Sequence, residues 1–277
     1  MRRIPALVPT LVLCAALPAA AQVTLTPQIS GNSVTAHIAL PGGVEADLSI
    51  AFEQVVGLNS NALALSATLV SPTDQTILSR MPDPTITLPA GFPVLVRVDP
   101  AGGGGLTFEG VFKLSLYTHN LTLGANSPLR LYKSHAGGPF QDITSSLESG
   151  SVRTGGVNGD ASEFLIVADA RPVDTVIAAK FDALQSAMSA NASAINGAVY
   201  SDLQQRFAQA RSLYTQGLIG AAINAIAAFS DQVKQQSGAN IPDVWQANGS
   251  LVNVAGTLRA RAETLRFSLT AKSNGAP

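Results

Sequence analysis

At Arg171-Pro172 the rhythm of apolar residues changes from strict alternation to a helical spacing, and no single type of secondary structure can satisfy both. On the N-terminal side Val34, Ala36, Ile38 and Leu40 alternate with Ser33, Thr35, His37 and Ala39, the pattern of a strand with one buried face. On the C-terminal side Ile177, Phe181, Leu184 and Met188 are spaced four, three and four, which is one stripe along a helix. The switch therefore predicts an α+β chain in two domains. An N-terminal antiparallel β-sandwich over residues 22–170 is followed by a C-terminal helical bundle over residues 171–272, with a disordered tail at 273–277.

Further alternating runs support the sandwich. Ala46, Leu48, Ile50 and Phe52 form one, after a turn at Pro41-Gly42-Gly43, and Leu63, Leu65, Ala67 and Leu69 form another that ends at Pro72. Pro82, Pro84 and Pro89 mark the next segment as loop or edge strand. Phe92, Val94, Val96 and Val98 alternate again, and Pro93 allows this run either at an edge or as a strand beginning there. Gly102 to Gly105 reads as a hairpin tip, with Phe112, Leu114 and Leu116 resuming the inner face beyond it. The stretch Leu129 to Asp169 closes the sandwich. Leu129 and Leu131 alternate with Arg130 and Tyr132, and Gly137-Gly138-Pro139 turns the chain. Thr144 begins a short turn, and Asn158-Gly159 precedes the strand of Phe164, Ile166 and Ala168.

Beyond the switch, Leu203, Phe207, Ala210 and Tyr214 predict a second helix with Ser201 at its cap. Gly217 turns into a third, carrying Ile219, Ile223, Ile226, Phe229 and Val233, and Gly238 terminates it. Pro242 suits the first turn of a last helix, which carries Leu251, Ala255, Leu258, Ala262, Leu265 and Leu269 and places Trp245 near its start as a core or interhelix anchor. The expectation is a bundle of about four antiparallel neighbours.

The first 21 residues read as a signal peptide: Arg2 and Arg3, an apolar run from Ile4 to Leu17, then Pro18 and the small residues Ala19, Ala20 and Ala21. The run is short against the roughly 20 residues a membrane span needs. Cleavage before Gln22 would remove Cys14, the single cysteine, and with it any thiol nucleophile, cysteine metal ligand or disulfide. Loss of Arg2 and Arg3 would leave 15 basic against 18 acidic residues, a formal charge of −3 with no basic cluster, which argues against a nucleic-acid footprint. Only 13% of the chain is charged, about half the usual share, in keeping with a secreted or periplasmic location.

Two stretches carry a likeness to known modules. The order LRLYK, FQDIT, SEFLIV within Leu129–Asp169 resembles the final strands of the ZU-type sandwich found in zonula-occludens and netrin-receptor proteins and in secreted bacterial proteins. From Tyr214 to Ala262 the succession of glycine turn, Ala-rich helix, Ser237-Gly238 break and final helix resembles the small FIMAH-type helical domain. The combination also looks like a bacterial secreted family of unknown function. Both resemblances imply non-catalytic accessory or interaction roles, and neither transfers a functional residue.

Chemistry-bearing residues are sparse. His37, His119 and His135 are scattered and read as surface residues, since zinc ligands come in close-spaced sets. No Gly-x-Ser-x-Gly elbow is present to seat a serine nucleophile. Asp142, Asp160, Glu163 and Asp169 lack the ladder of a calcium loop and read as solvated turn residues. Arg259, Arg261 and Arg266, with Glu263 between them, read as a solvated helix face. No catalytic, cofactor-binding or metal-ligating residue is assigned and no cofactor is implied. The expected function is that of a non-enzymatic cell-envelope interaction module with a protein or envelope partner. The alternative is an extracellular hydrolase or carbohydrate-binding protein whose site is assembled from distant residues.

Overall fold

The computed structural model describes residues 21–101, 105–123, 127–135, 137–148, 151–155 and 162–276. Apart from Ala21 the expected signal peptide lies outside the described residues, as do the Asn158-Gly159 turn and Asp160. Among the described residues no helix is long and apolar enough to cross a membrane.

In chain order the strands of the N-terminal half are β1 (Gln22–Leu25), β2 (Gln28–Ser30), β3 (Ser33–Leu40), β4 (Val44–Val56), β5 (Leu63–Leu69) and β6 (Val94–Pro100). They continue as β7 (Thr107–Tyr117), β8 (Leu129–His135), β9 (Gln141–Asp142), β10 (Thr144–Glu148), β11 (Ser151–Gly155) and β12 (Ser162–Ala168). One antiparallel sheet has the order β1-β5-β6-β12-β8-β9 and the other β10-β11-β7-β4-β3-β2. The inner residues of both sheets, among them Ile38, Leu48, Leu65, Val96, Leu114 and Phe164, pack into one core. The expected sandwich is thus present, and the alternating runs supply its inner faces.

The pairing decides several local expectations. Of the two readings that Pro93 allows, the strand beginning there holds: β6 starts directly after Pro93 and lies between β5 and β12. Pro93 precedes the paired residues, so its missing N–H costs no ladder bond, and its carbonyl accepts from Val70 N–H at 2.9 Å. The expected Gly102–Gly105 hairpin tip lies, but for Gly105, outside the described residues; the flanking strands β6 and β7 belong to different sheets. Thr144 opens strand β10 instead of a turn, its hydroxyl accepting from Leu131 N–H at 2.8 Å. β12 is buried along both faces. Phe164 and Ile166 face the main core, while Leu165 and Val167 join Tyr132, Phe140, Ile86 and Leu88 in a second one. That outer core is roofed by the proline-rich segment, which folds around a short helix α1 (Gln75–Leu78).

The helices are α2 (Val173–Ala190), α3 (Gly197–Thr215), α4 (Ile219–Gln236) and α5 (Val254–Ser273). The predicted stripes form their common core, from Ile177 and Phe181 through Leu203, Phe207, Ile226 and Phe229 to Leu258 and Leu265. Gly217 and Gly238 have φ of 76° and 75°, the left-handed geometry that glycine tolerates without strain. Asn196 caps α3, accepting from Ala198 N–H, whereas Ser201 bonds back to the Gly197 carbonyl within the helix.

The largest departure lies between α4 and α5. Pro242 does not start a helix. The chain instead forms strand β13 (Val244–Gln246), which pairs antiparallel with β7 in the sandwich. Trp245 is therefore a core residue of the sandwich, 3% exposed, with its ring 5.0 Å from Phe108. Beside this pairing β7 carries a bulge: Gly110 and Val111 together oppose Glu53, and Gly110 has a φ of 72°. The bulge exposes backbone groups that the helical half engages. Gly110 N–H donates to the Asp243 carbonyl at 3.2 Å, and Asn253 Nδ2 donates to the Gly110 carbonyl at 2.5 Å. Asn253, fully buried, also caps α5 by accepting from Gly256 N–H. A Cβ at Gly256 would overlap the Gly110 carbonyl and the Asn253 side chain, so glycine sets how closely α5 approaches the sheet.

This close approach predicts opposite signs for two glycine-to-alanine changes. Gly220→Ala, in open space on α4, should stabilise by about 0.5 kcal/mol through helix propensity. Gly256→Ala should destabilise by about 1–3 kcal/mol despite the same propensity gain. Urea unfolding followed through Trp245 fluorescence measures both, and an equal gain at the two sites would contradict the docking described.

Candidate functional site

The closing stretch, the linker after it and two helices bring together a group of buried ionisable side chains. Asp169 directly follows β12 and Arg171 lies two residues on, with Tyr132 of β8 beside them. Tyr132 Oη donates to Asp169 Oδ2 at 2.7 Å. Arg171 Nη2 reaches the same oxygen at 2.8 Å and Tyr132 Oη at 2.8 Å, and Arg171 Nε donates to Oδ1 at 2.9 Å. Burial opposes the charge on Asp169, but hydrogen bonds from Arg171 and Tyr132 outweigh it and hold the carboxyl below the ordinary range. Burial, with Asp142 and Asp169 nearby, pushes the Tyr132 phenol far above its usual value, so it is a fixed donor and no base.

A second pair crosses from sandwich to bundle. Lys180 of α2 places Nζ 2.6 Å from Asp142 Oδ2 of β9, with side chains 8% and 5% exposed. Nζ also donates to the Thr264 carbonyl at 3.0 Å and Ser268 Oγ at 2.9 Å on α5, while Asp142 Oδ1 accepts from Thr144 N–H. Burial pushes the Lys180 ammonium down, against the pull of Asp142. On the far face of the sandwich Glu163 is clamped between Arg80 and Arg97, which hold its carboxyl low against the cost of burial.

These positions correct the reading of the acids as solvated. Asp142, Glu163 and Asp169 are each buried and each ion-paired. Alternation along the chain could not reveal it, because the partners lie outside these strands: Arg80 after α1 and Arg97 of β6 for Glu163, Lys180 of α2 for Asp142, and Arg171 with Tyr132 of β8 for Asp169. The arginines divide similarly. Arg266 pairs with Glu263 on an exposed face as expected, but Arg259 is a bidentate partner of Glu53 at 2.7 Å across the domain junction. Arg261 is half-buried, and burial pushes its guanidinium down. His37, His119 and His135 are all exposed, as read from the sequence. His37 bonds Asp47 at 2.8 Å, and the register continues this row to Tyr117, whose ring meets His119 edge-on at 4.8 Å. With Thr35 and Lys113 also exposed, the outer face of β3-β4-β7 is a polar, accessible surface.

Next to the Asp169–Arg171 pair lies a cavity of about 660 Å³ between sandwich and bundle. Leu123, Leu147, Val173, Val176 and Ala271 line it, together with Arg130 and Phe267. No group of three or more His, Cys, Asp or Glu suited to a metal ion occurs among the described residues.

Fold and junction together define a two-part α+β protein: an antiparallel sandwich clamped to a four-helix layer by a shared strand and buried ion pairs. The chain belongs to a family of unknown function, DUF6689, whose model matches residues 9–272 and so spans both parts. No curated protein and no solved structure matches it.

The junction pairs make measurable predictions. Lys180→Met leaves Asp142 buried without its cation and should cost about 3–5 kcal/mol, of which the double change Lys180→Met/Asp142→Leu should recover part. Asp169 and Glu163 have folded values below their unfolded ones, so the unfolded chain binds protons more readily. Their contribution is present above the unfolded carboxylate value near ~4 and is lost as pH falls through the lower folded values. Urea midpoints from pH 7 to pH 3 should fall most steeply below pH ~4, and Arg171→Gln should flatten that limb.

Proposed function

We propose that this protein is a non-enzymatic interaction or accessory module of the bacterial cell envelope, secreted or periplasmic after removal of residues 1–21. The observation that carries this reading is how the buried ionisable groups at the junction are used. Asp142, Asp169, Tyr132, Arg171 and Lys180 are bonded to one another and to backbone across the two halves. A general base or nucleophile must present a free lone pair to a substrate, whereas these groups are spent on holding sandwich and bundle at one angle. The leader-like pattern of Arg2, Arg3, the apolar run and Ala19–Ala21 supports export.

A rigid scaffold of this kind offers its partner a surface more than a cleft. The outer face of β3-β4-β7, with the His37–Asp47–Tyr117 row, is the surface we assign to that contact. Tyr supplies broad contact area at low entropic cost, and His and Asp supply adaptable hydrogen bonds.

A pull-down from native cell envelope and culture supernatant, using the mature chain, tests the reading. One dominant partner should be retained by the wild type and lost on His37→Ala/Tyr117→Ala. Mass spectrometry of the exported protein should find Gln22 at its N-terminus. Robust hydrolase activity in purified, metal-replete protein would overturn the non-enzymatic assignment.

A further inference from the structure

The cavity between sandwich and bundle is lined by two cations, Arg130 and Arg171, and two carboxylates, Asp169 and Glu148. Asp169 is taken up by Arg171 at 2.8 Å. Arg130 is the cation of the lining without an ion pair among the described residues. Its Nη1 donates to the carbonyls of Ser127 and Leu129 at 2.8 and 2.7 Å, and its guanidinium lies 5.6 Å from the centre of the Phe267 ring. Among the described residues no carboxylate is within ion-pair distance of Arg130, and Glu148 is exposed to solvent at the cavity rim. Backbone carbonyls and a ring face orient a guanidinium without cancelling its charge, and the ring holds its plane against the cavity wall.

The aliphatic part of the lining comes from both halves, Leu123 and Leu147 from the sandwich side and Val173, Val176 and Ala271 from α2 and α5, with Ser127, Thr270 and Asn274 among its polar residues. A mostly apolar cavity of a few hundred cubic ångströms with a few placed polar groups is the usual form of a small-molecule site. The planar fork of arginine matches the two oxygens of a carboxylate bidentately.

We propose that this cavity binds an aliphatic monocarboxylate, with the carboxylate on Arg130 and Phe267 and the hydrocarbon chain between α2, α5 and the sandwich. The lining includes no residue of the His37–Asp47–Tyr117 row, so occupancy and partner binding are separable properties. Because the walls come from both halves, such a ligand would also bridge them.

Octanoate and 1-octanol share a chain and differ in the charged head, which makes them the probes. Calorimetric titration of the full mature protein with each, and the carboxyl resonance of [1-13C]octanoate, report binding directly. Octanoate should bind with a Kd below about 1 mM and at least tenfold more tightly than octanol. Arg130→Gln should weaken octanoate at least tenfold and leave octanol unchanged. Ala271→Phe, which fills the cavity while keeping Arg130, should weaken both. Circular dichroism of each variant confirms its fold, and the wild-type carboxyl shift provides a readout that needs no variant. Absence of any octanoate heat or shift at millimolar concentration overturns the proposal. Equal affinity for octanoate and octanol, or octanoate binding unaffected by Arg130→Gln, does so as well.

Discussion

The extra residue in β7 opposite Glu53 takes the Gly110 amide and carbonyl out of the ladder, and the helical half answers both of them. Asp243 accepts from the amide, Asn253 donates to the carbonyl, and Gly256 lets α5 come close enough for this to happen. The Glu53 side chain accepts from Val111 N–H and takes the bidentate Arg259, which together hold its carboxyl low. Every later contact between the halves assumes this placement of α5. Lys180 is fixed by the Thr264 carbonyl and Ser268 Oγ of that helix, and the cavity wall at Phe267 and Ala271 belongs to it too.

The buried ion pairs add orientation more than net stability. Desolvating Asp142 and Lys180 costs several kcal/mol each, and their attraction roughly offsets it only where the geometry is fully satisfied. Lys180 meets that condition with three oxygen partners on β9 and α5. A displaced helix would leave a charge buried without a partner, so wrong arrangements are penalised more than the right one is favoured. Asp169 and Arg171 do the same for the linker, which is bonded to itself and to Tyr132.

Much of this architecture is legible in the chain. Alternation locates β3, β4, β5 and the inner face of β7, since each has one face in the core and one in solvent. Helical stripes locate α2, α3 and α4 for the same reason. What escapes is whatever depends on a second covering layer. β12 reads as alternating until α1 and its neighbours bury the other face, and Asp142 and Glu163 read as solvated until cations from distant segments reach them, as Asp169 does until Arg171, two residues on, pairs with it beside Tyr132. Val244–Gln246 is too short to show a period, and Pro242 ahead of it is as good a helix start as a strand approach. The candidate cavity has no local signature at all, because its walls are assembled from β8, β10, α2, α5 and the segments that flank them.

The three residues of β13 have a consequence for descent. A sandwich and a helical bundle joined by a simple linker can be exchanged between genes, each carrying its fold along. Here the bundle side supplies a strand and the only tryptophan to the core of its neighbour. A recombination break at the linker would leave the first half with a hole beside Phe108 and the second with a tryptophan in water. Selection then acts on the pair as one heritable unit, and relatives are expected to keep both parts in this order instead of trading either away.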